Sequence, residues 1–246
     1  MKINNRHLSI LEHIDELRQR VIRASLVVLV MTVGAYMYTD NILRVIAKPV
    51  GHLIFIDPSE AFMTYLKVAF WAGLFLSSPY VIFEIWQFIA AGLAPRERKY
   101  VYIIMPASFL LFVTGVYFGF TFVITAGIKF LLSFGHDFMT PTLTISSYVS
   151  FVASMCLAFG AVFQLPIVMA FLTQIGLITP AVLVNKWRYA VVLIFIAAGV
   201  LTPSPDIFSQ FCMAVPLLFL YVVSIIVSQV IYQRAQRMIG QEPLVE

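Results

Sequence analysis

The sequence predicts an all-α, polytopic membrane protein with six transmembrane helices and with both the N- and C-termini in the cytoplasm. Hydrophobic residues make up 61% of the 246-residue chain and charged residues only 11%, whereas a soluble domain carries roughly 25% charged residues. The apolar residues also fall in long blocks, and a helix needs about 20 such residues to cross a bilayer. No polar block is long enough to fold alone, so we expect one membrane domain.

Six apolar blocks are the candidate spans, and they run at about 21–38, 68–93, 101–132, 149–173, 189–201 and 207–232. The second and third are long enough to tilt or to extend beyond the membrane. The fifth is short, and either a re-entrant hairpin or a true span in a locally thinned bilayer would account for it. We expect the span, with the proline-rich segment Thr202–Asp206 as the turn to the sixth block.

The basic residues predict the orientation. If six spans alternate, most of the 16 Lys and Arg residues lie on one side and four on the other, which by the positive-inside rule places both termini in the cytoplasm. Residues 1–22 then form a cytoplasmic amphipathic helix, 23–232 the transmembrane domain and 233–246 a cytoplasmic tail. The inner-side residues are Lys2, Arg6, Arg18, Arg20, Arg23, Arg96, Arg98, Lys99, Lys186, Arg188, Arg234 and Arg237, and the outer-side residues are Arg44, Lys48, Lys67 and Lys129.

Several functional classes receive no support from the motifs. Cys156 and Cys212 lie inside apolar blocks without CxxC or Cys/His spacing, and the four histidines lack metal-ligand spacing. An HExxH signature and phosphate-binding loops are absent from the sequence. The basic residues border apolar blocks and do not form a nucleic-acid surface. We therefore expect no metal, no cofactor, no nucleic-acid partner and no enzymatic activity. The first twenty residues are also too polar for a cleavable signal peptide, so the first block is a permanent span.

The segment before the first span predicts a helix with a polar face. Ser9 and Glu12 form a capping-box pattern, which indicates that a helix starts there. Glu16 and Arg20 are spaced as an ordinary i,i+4 ion pair, consistent with an interfacial amphipathic helix. The functional alternative is that one carboxylate faces the cytoplasm and receives a cationic ligand, because a carboxylate can bind a guanidinium through two hydrogen bonds.

Polar residues also interrupt the apolar blocks and the loop after the second block. Glu97 follows Pro95 and is placed to meet the dipole at the start of the third helix. We expect Glu84 and Gln164 near mid-membrane, with Glu84 nine residues before Leu93. A charge at that depth must face a cavity, find a partner or be protonated. Gln164 precedes Pro166, which favours a kink there. Gln164 makes either an interhelical hydrogen bond or a ligand contact.

Read together, these segments resemble the TatC family, the signal-reading subunit of the twin-arginine protein translocase. The resemblance covers nearly the whole chain and is carried by three motifs in order on this topology. These are an HxxELR motif ending at Arg18, an FGxxFxLP motif ending at Pro166 and a TPxPD motif ending at Asp206. Further matches are Lys48-Pro49, Glu84-Ile-Trp86-Gln-Phe88-Ile-Ala, Leu93 and Glu97-Arg98.

The resemblance implies site residues and partners. It implies that Glu16 and Glu97 receive the two arginines of a twin-arginine signal peptide, with Phe88, Leu93 and Arg18 also at the signal-binding surface. It further implies functional loop or intramembrane polar positions at Pro49, Glu84, Gln164 and Asp206. Many family members carry a glutamate at the position of Gln164. The glutamine of this chain has no titratable group there.

TatC-like proteins initiate the export of folded proteins and use the proton-motive force instead of ATP. The resemblance thus implies TatA- and TatB-type single-span subunits as partners, contact with membrane lipid, homo- and hetero-oligomers and a location in the cell inner membrane. The competing interpretation is a proton- or ion-coupled secondary transporter, with Glu84 and Gln164 as the coupling site. The sequence lacks the internal repeat from which many secondary transporters are built. A membrane-embedded enzyme is less favoured, because no nucleophile–base pair is visible.

Overall fold

The computed structural model describes residues 10–51, 53–94, 97–133, 143–201 and 207–239. These residues are helical apart from turns, short connections and one isolated bridge. The helices are α1 (Ile10–Tyr36), α2 (Thr39–Ala47), α3 (Pro58–Ala91), α4 (Arg98–Phe118), a π-helical segment (Gly119–Ile124), α5 (Thr125–Ser133), α6 (Ile145–Val162), α7 (Leu165–Gln174), α8 (Pro180–Asn185), α9 (Trp187–Leu201) and α10 (Ile207–Ile239).

The predicted fold class is confirmed. Among the described residues, five helical stretches are long and apolar enough to cross a membrane, namely Glu12–Tyr36, Pro58–Ala91, Arg98–Phe130, Ile145–Gln174 and Gln210–Arg234. The fifth predicted block is the apolar helix α9, whose 15 residues span about 22 Å, less than the roughly 30 Å hydrocarbon core. Its assignment as a span stays a prediction, as does the cytoplasmic placement of the termini.

Two helices begin earlier than the apolar blocks indicate. α3 starts at Pro58, ten residues before the predicted start at Val68, because Asp57 caps it: Asp57 Oδ1 accepts a 2.7 Å hydrogen bond from the backbone N–H of Ser59. This bond favours the charged carboxylate and lowers the pKa of Asp57. α1 begins at Ile10, beside the predicted cap, and continues through residue 22 without a break.

Two other predicted spans are interrupted. The third block is a single run of helix that changes from α to π between Gly119 and Ile124 and then returns to α. In the fourth block α6 ends at Val162, a turn covers residues 163–164, and α7 restarts at Leu165 with Pro166 in its first turn. The predicted irregularity at Pro166 is therefore confirmed, and its cause is the missing proline N–H.

The described residues form two compact units, and the first contains residues 10–109 and 143–150. α1 and α3 lie side by side in it, and they approach closely at Gly73, where a Cβ would overlap the backbone of Thr32. Where α1 ends and α3 begins, α2, α3 and the start of α6 share a small core of Leu43, Val68 and Val149. A parallel bridge between Ile54 and Thr144 and a 2.7 Å bond from Lys67 Nζ to Ser146 Oγ close this end.

The second unit contains residues 110–133 and 151–239 of the described chain. Phe159 is fully buried at its centre, and its ring lies 5.8 Å from that of Phe118. Hydroxyls join the apolar helices: the Thr173 and Ser228 Oγ atoms are 2.7 Å apart, and the Tyr221 hydroxyl donates to the Leu183 carbonyl at 2.8 Å. Such bonds satisfy polar groups for which lipid offers no partner.

Candidate functional site

The first turns of α1 pack against the last two turns of α3. The His13 ring stacks on the Phe88 ring, with centroids 4.3 Å apart and an interplanar angle of 18°. A Cβ on Gly92, just beyond the end of α3, would lie 3.7 Å from Cε1 of His13. Two helices from distant parts of the sequence therefore present their side chains at one end of the first unit.

A three-residue ion-pair cluster lies at this end, and we call Glu16, Arg20 and Glu84 the triad. Arg20 Nε and Nη2 donate to Glu16 Oε1 at 3.1 and 2.5 Å, and Nη1 donates to Glu84 Oε2 at 2.8 Å. The Tyr80 hydroxyl donates to the other oxygen of Glu84 at 2.8 Å. Of the alternatives that the sequence left open for Glu84, the structure shows a partner, and Arg20 lies 64 residues away from it in sequence.

Burial makes these contacts stronger than those of a surface pair. The side chain of Glu84 is only 6% exposed, that of Arg20 17% and that of Glu16 25%. Solvent screens partly buried charges weakly, and removing one partner of such a pair leaves an uncompensated charge. Two carboxylates and one guanidinium give the triad one net negative charge. Glu16 has the most exposed side chain of the three, so a further cation can reach the triad there.

A groove of about 600 Å³ runs between α1 and α3 from the triad. Leu17, Arg20, Glu84 and Phe88 line it together with apolar side chains that extend to Thr32 and Phe70. Its polar residues are few and its walls are aliphatic and aromatic. The groove can therefore hold an extended or helical apolar segment, with a cationic group at the triad.

Leu93 and Glu97 lie in the connection that leaves this end of α3. Glu97 immediately precedes α4, and its Oε2 accepts a 3.3 Å hydrogen bond from the backbone N–H of Ala94. The neighbouring Arg98 donates to the Leu93 carbonyl at 3.3 Å. Both Leu93 and Glu97 are half-buried. Glu97 thus stabilises the turn, and its position at the helix start agrees with the structural interpretation of the sequence.

The remaining predicted site residues lie elsewhere. Arg18 is exposed on α1 beside the triad. Pro49 is exposed in the turn after α2, next to Gly51 with its φ of +79°, at the opposite end of the α1–α3 pair. Gln164 belongs to the second unit, where Nε2 donates to the Gly160 carbonyl at 3.4 Å. Asp206 lies outside the described residues.

The sequence did not predict three contributors to the site: Tyr80, His13 and the contact of Arg20 with Glu84. The i,i+4 spacing of Tyr80 and Glu84 was an available signal, because residues so spaced share a helix face. Pairing with Arg20 also places Glu84 beside a residue that precedes the first predicted span, and Glu84 lies seven residues before the end of α3. Within the described part of the chain, no group of three His, Cys, Asp or Glu side chains is arranged to hold a metal.

Comparisons with known proteins agree with this architecture. Residues 12–216 match the family profile described as Sec-independent protein translocase protein (TatC). A TatC of Carboxydothermus hydrogenoformans is 40% identical over 233 residues, covering 93% of this chain and 96% of that protein. TatCy of Bacillus subtilis is 32% identical over 96% of this chain and 94% of its own length.

A solved structure shows the same fold. The crystal structure of a protein described as "Twin Arginine Translocase Receptor- TatC" superposes with a TM-score of 0.79 at 31% identity, covering 89% of this chain and 99% of that chain. Profile, sequence relatives and fold thus agree, and the predicted resemblance is confirmed. The chain belongs to the TatC family of Sec-independent protein translocase proteins.

Proposed function

We propose that this chain is the subunit of a twin-arginine translocase that binds signal peptides with paired arginines and initiates export of folded proteins. Family membership and the likeness to a twin-arginine translocase receptor support this role over the secondary-transporter alternative. The contacts of Glu84 also disfavour the alternative, because Arg20 and Tyr80 both engage its carboxylate, which a coupling ion would need.

The observation that carries the proposal is the packing of α1 against the end of α3. It brings Glu16 and Phe88 to one end of the first unit, from which the chain continues through Leu93 to Glu97. Two carboxylates there are available for two guanidinium groups, and each can form charge-assisted, geometrically specific hydrogen bonds. Phe88, Leu93 and the α1–α3 groove supply the apolar surface that a signal peptide needs beyond its arginines.

The cellular setting follows from the same proposal. Glu16, Glu97, Arg18, Leu93 and Phe88 face the cytoplasm, where precursors arrive, and both termini lie on that side of the cell inner membrane. TatA- and TatB-type single-span subunits join the chain in homo- and hetero-oligomers, and the proton-motive force drives transport. The exposed apolar surfaces of α1, α9 and α10 suit contact with lipid and with such partners.

Replacing Glu97 by glutamine tests the proposal. A charge-assisted hydrogen bond contributes roughly 1.5–3 kcal/mol net, so Glu97→Gln weakens binding of a twin-arginine precursor about ten- to hundredfold. Partial exposure of Glu97 draws the effect toward the lower value. The measurement is precursor co-purification with membranes, normalised to the amount of this chain.

A control precursor with both arginines changed to lysine separates the two roles of Glu97. It binds poorly to the unmodified chain and loses little more with Glu97→Gln. If Glu97 only stabilises the turn before α4, the variant loses abundance while the binding per remaining molecule is unchanged. That result would refute the arginine-binding role.

A further inference from the structure

Building on the proposed function, we propose that Arg20 and Glu84 are positioning residues that make Glu16 prefer a ligand arginine to a ligand lysine. Arg20 contacts Glu16 only at Oε1 and leaves Oε2 for a ligand. Its third contact, to Glu84, ties this arrangement to α3. The ligand-binding carboxylate is thereby held in one orientation, directly by Arg20 and through Arg20 by Glu84.

The anchor of this arrangement is Glu84. Its side chain is 6% exposed, and Tyr80 holds the carboxylate oxygen that Arg20 does not contact. The stacked rings of His13 and Phe88 fix α1 against α3 on the same side of the helix pair. Arg20 therefore has little freedom to rotate. The Glu16 carboxylate is restricted as well, because two nitrogens of Arg20 donate to it. An exposed glutamate on an isolated helix would sample several rotamers instead.

A fixed carboxylate discriminates between the two basic side chains. A guanidinium is planar and presents its donors in a rigid fork, so it gains most from an acceptor held in matching geometry. An ammonium is a compact charge that binds a carboxylate from many directions. If the Glu16 carboxylate can rotate freely, the affinity for an arginine ligand therefore falls more than the affinity for a lysine ligand.

Charge alone does not give this selectivity. The triad carries one net negative charge, which attracts arginine and lysine alike. The nearby Arg18 and Arg23 are exposed on α1, where salt screens them. Removing the charge of Glu84 while keeping its hydrogen bond to Arg20 should weaken both ligands equally. Removing the geometry while keeping the charge should weaken arginine selectively.

Three variants of the full-length chain in lipid nanodiscs separate these contributions. Arg20→Lys keeps the charge but cannot make the three contacts. Glu84→Leu removes the anchor, and Glu84→Gln retains an acceptor for Arg20 without the charge. The affinities of two signal peptides are measured for each, one with paired arginines and one with paired lysines.

We expect the arginine-to-lysine affinity ratio to fall about tenfold in Arg20→Lys and in Glu84→Leu, a change of ~1.4 kcal/mol. In Glu84→Gln both affinities fall together and the ratio stays at the wild-type value. A purely structural role predicts less folded protein but an unchanged ratio in what remains. Size-exclusion chromatography before each titration restricts the measurement to folded protein.

Two results would overturn the inference in distinguishable ways. If the unmodified chain discriminates but Arg20→Lys and Glu84→Leu keep its ratio, the positioning role is wrong and the proposed function stands. If the unmodified chain binds neither peptide, or binds both equally, the proposed function itself fails and the inference fails with it.

Discussion

Single residues in this chain show how a membrane protein accommodates polar groups. A charged side chain at the centre of a bilayer-spanning helix costs about 2.5–3.5 kcal/mol on insertion scales, and Glu84 would carry part of this cost if it stood alone. Arg20 and Tyr80 each donate to one of its oxygens. The charge is thereby compensated, and the cluster joins α1 to α3 at the end where a ligand would enter. Glu84, a charge that is unfavourable in an apolar helix, therefore stabilises the packing of α1 against α3.

Gln164 carries a prediction at the same scale. Its Nε2 donates to the Gly160 carbonyl beside the break between α6 and α7. Gln164→Glu should be tolerated, since the TatC resemblance implies an acid at this position. Gln164→Leu removes the polar group and should impair export of a twin-arginine precursor while leaving precursor binding near normal. Full export activity in the leucine variant would reduce Gln164 to a packing residue.

Among the helices, close packing depends on glycine where α4 meets α6. A Cβ on Gly115 would lie 2.5 Å from the Phe159 carbonyl oxygen, which is backbone and cannot turn away. A Cβ on Gly160 would lie 2.6 Å from the ring edge of Phe112, a side chain that can rotate. The two glycines therefore permit the same approach but differ in how much a methyl group would disturb it.

This difference predicts unequal costs for the same substitution. Gly115→Ala should destabilise the protein by about 1–3 kcal/mol, the usual range for overpacking, and Gly160→Ala by less. Gly127→Ala is the matched control, because a Cβ there meets nothing within 4 Å and alanine favours the helix. Thermal unfolding in detergent gives the ranking. Equal losses for Gly115→Ala and Gly160→Ala would contradict the packing argument.

Local patterns predict some elements and miss others. The six apolar blocks correspond to helices, and they could be predicted because the length of an apolar run is read directly from the sequence. The start of α3 at Pro58 was missed because Asp57 and Pro58 lie in a polar stretch that hydropathy does not mark. The π-helical segment and the bridge between Ile54 and Thr144 leave no local signal. The partner of Glu84 was missed because periodicity shows which face a residue occupies but not which helix packs against it.

For the molecule as a whole, the central expectation is six spans with both termini inside. In a chain whose Cys156 and Cys212 are replaced by alanine, a single cysteine at Ser59 or Ser204 should react with a membrane-impermeant maleimide in intact spheroplasts. A cysteine at Lys99 should react only after the membrane is opened. The charge asymmetry gives this pattern, because Lys99 lies in a basic loop on the cytoplasmic side.

Labelling at Ser204 also separates the two interpretations of α9. A true span carries the turn between the fifth and sixth blocks to the outer side. A re-entrant hairpin returns it to the cytoplasmic side. Reaction of Ser204→Cys only after the membrane is opened, with Ser59→Cys still reactive from outside, would contradict the six-span model.

The most direct test of the whole account is photocrosslinking from Leu93. Leu93 lies between the end of α3 and Glu97, and only its backbone carbonyl contacts Arg98, so a photoreactive side chain there preserves that bond. Ile56, exposed just before the start of α3 and about 50 Å away by helix length, is the matched control. Crosslinks of a twin-arginine precursor should form from Leu93 and not from Ile56, and should be lost when both precursor arginines are lysine. Equal crosslinking from the two positions, or crosslinking that ignores the arginines, would contradict signal binding at this end of the α1–α3 pair.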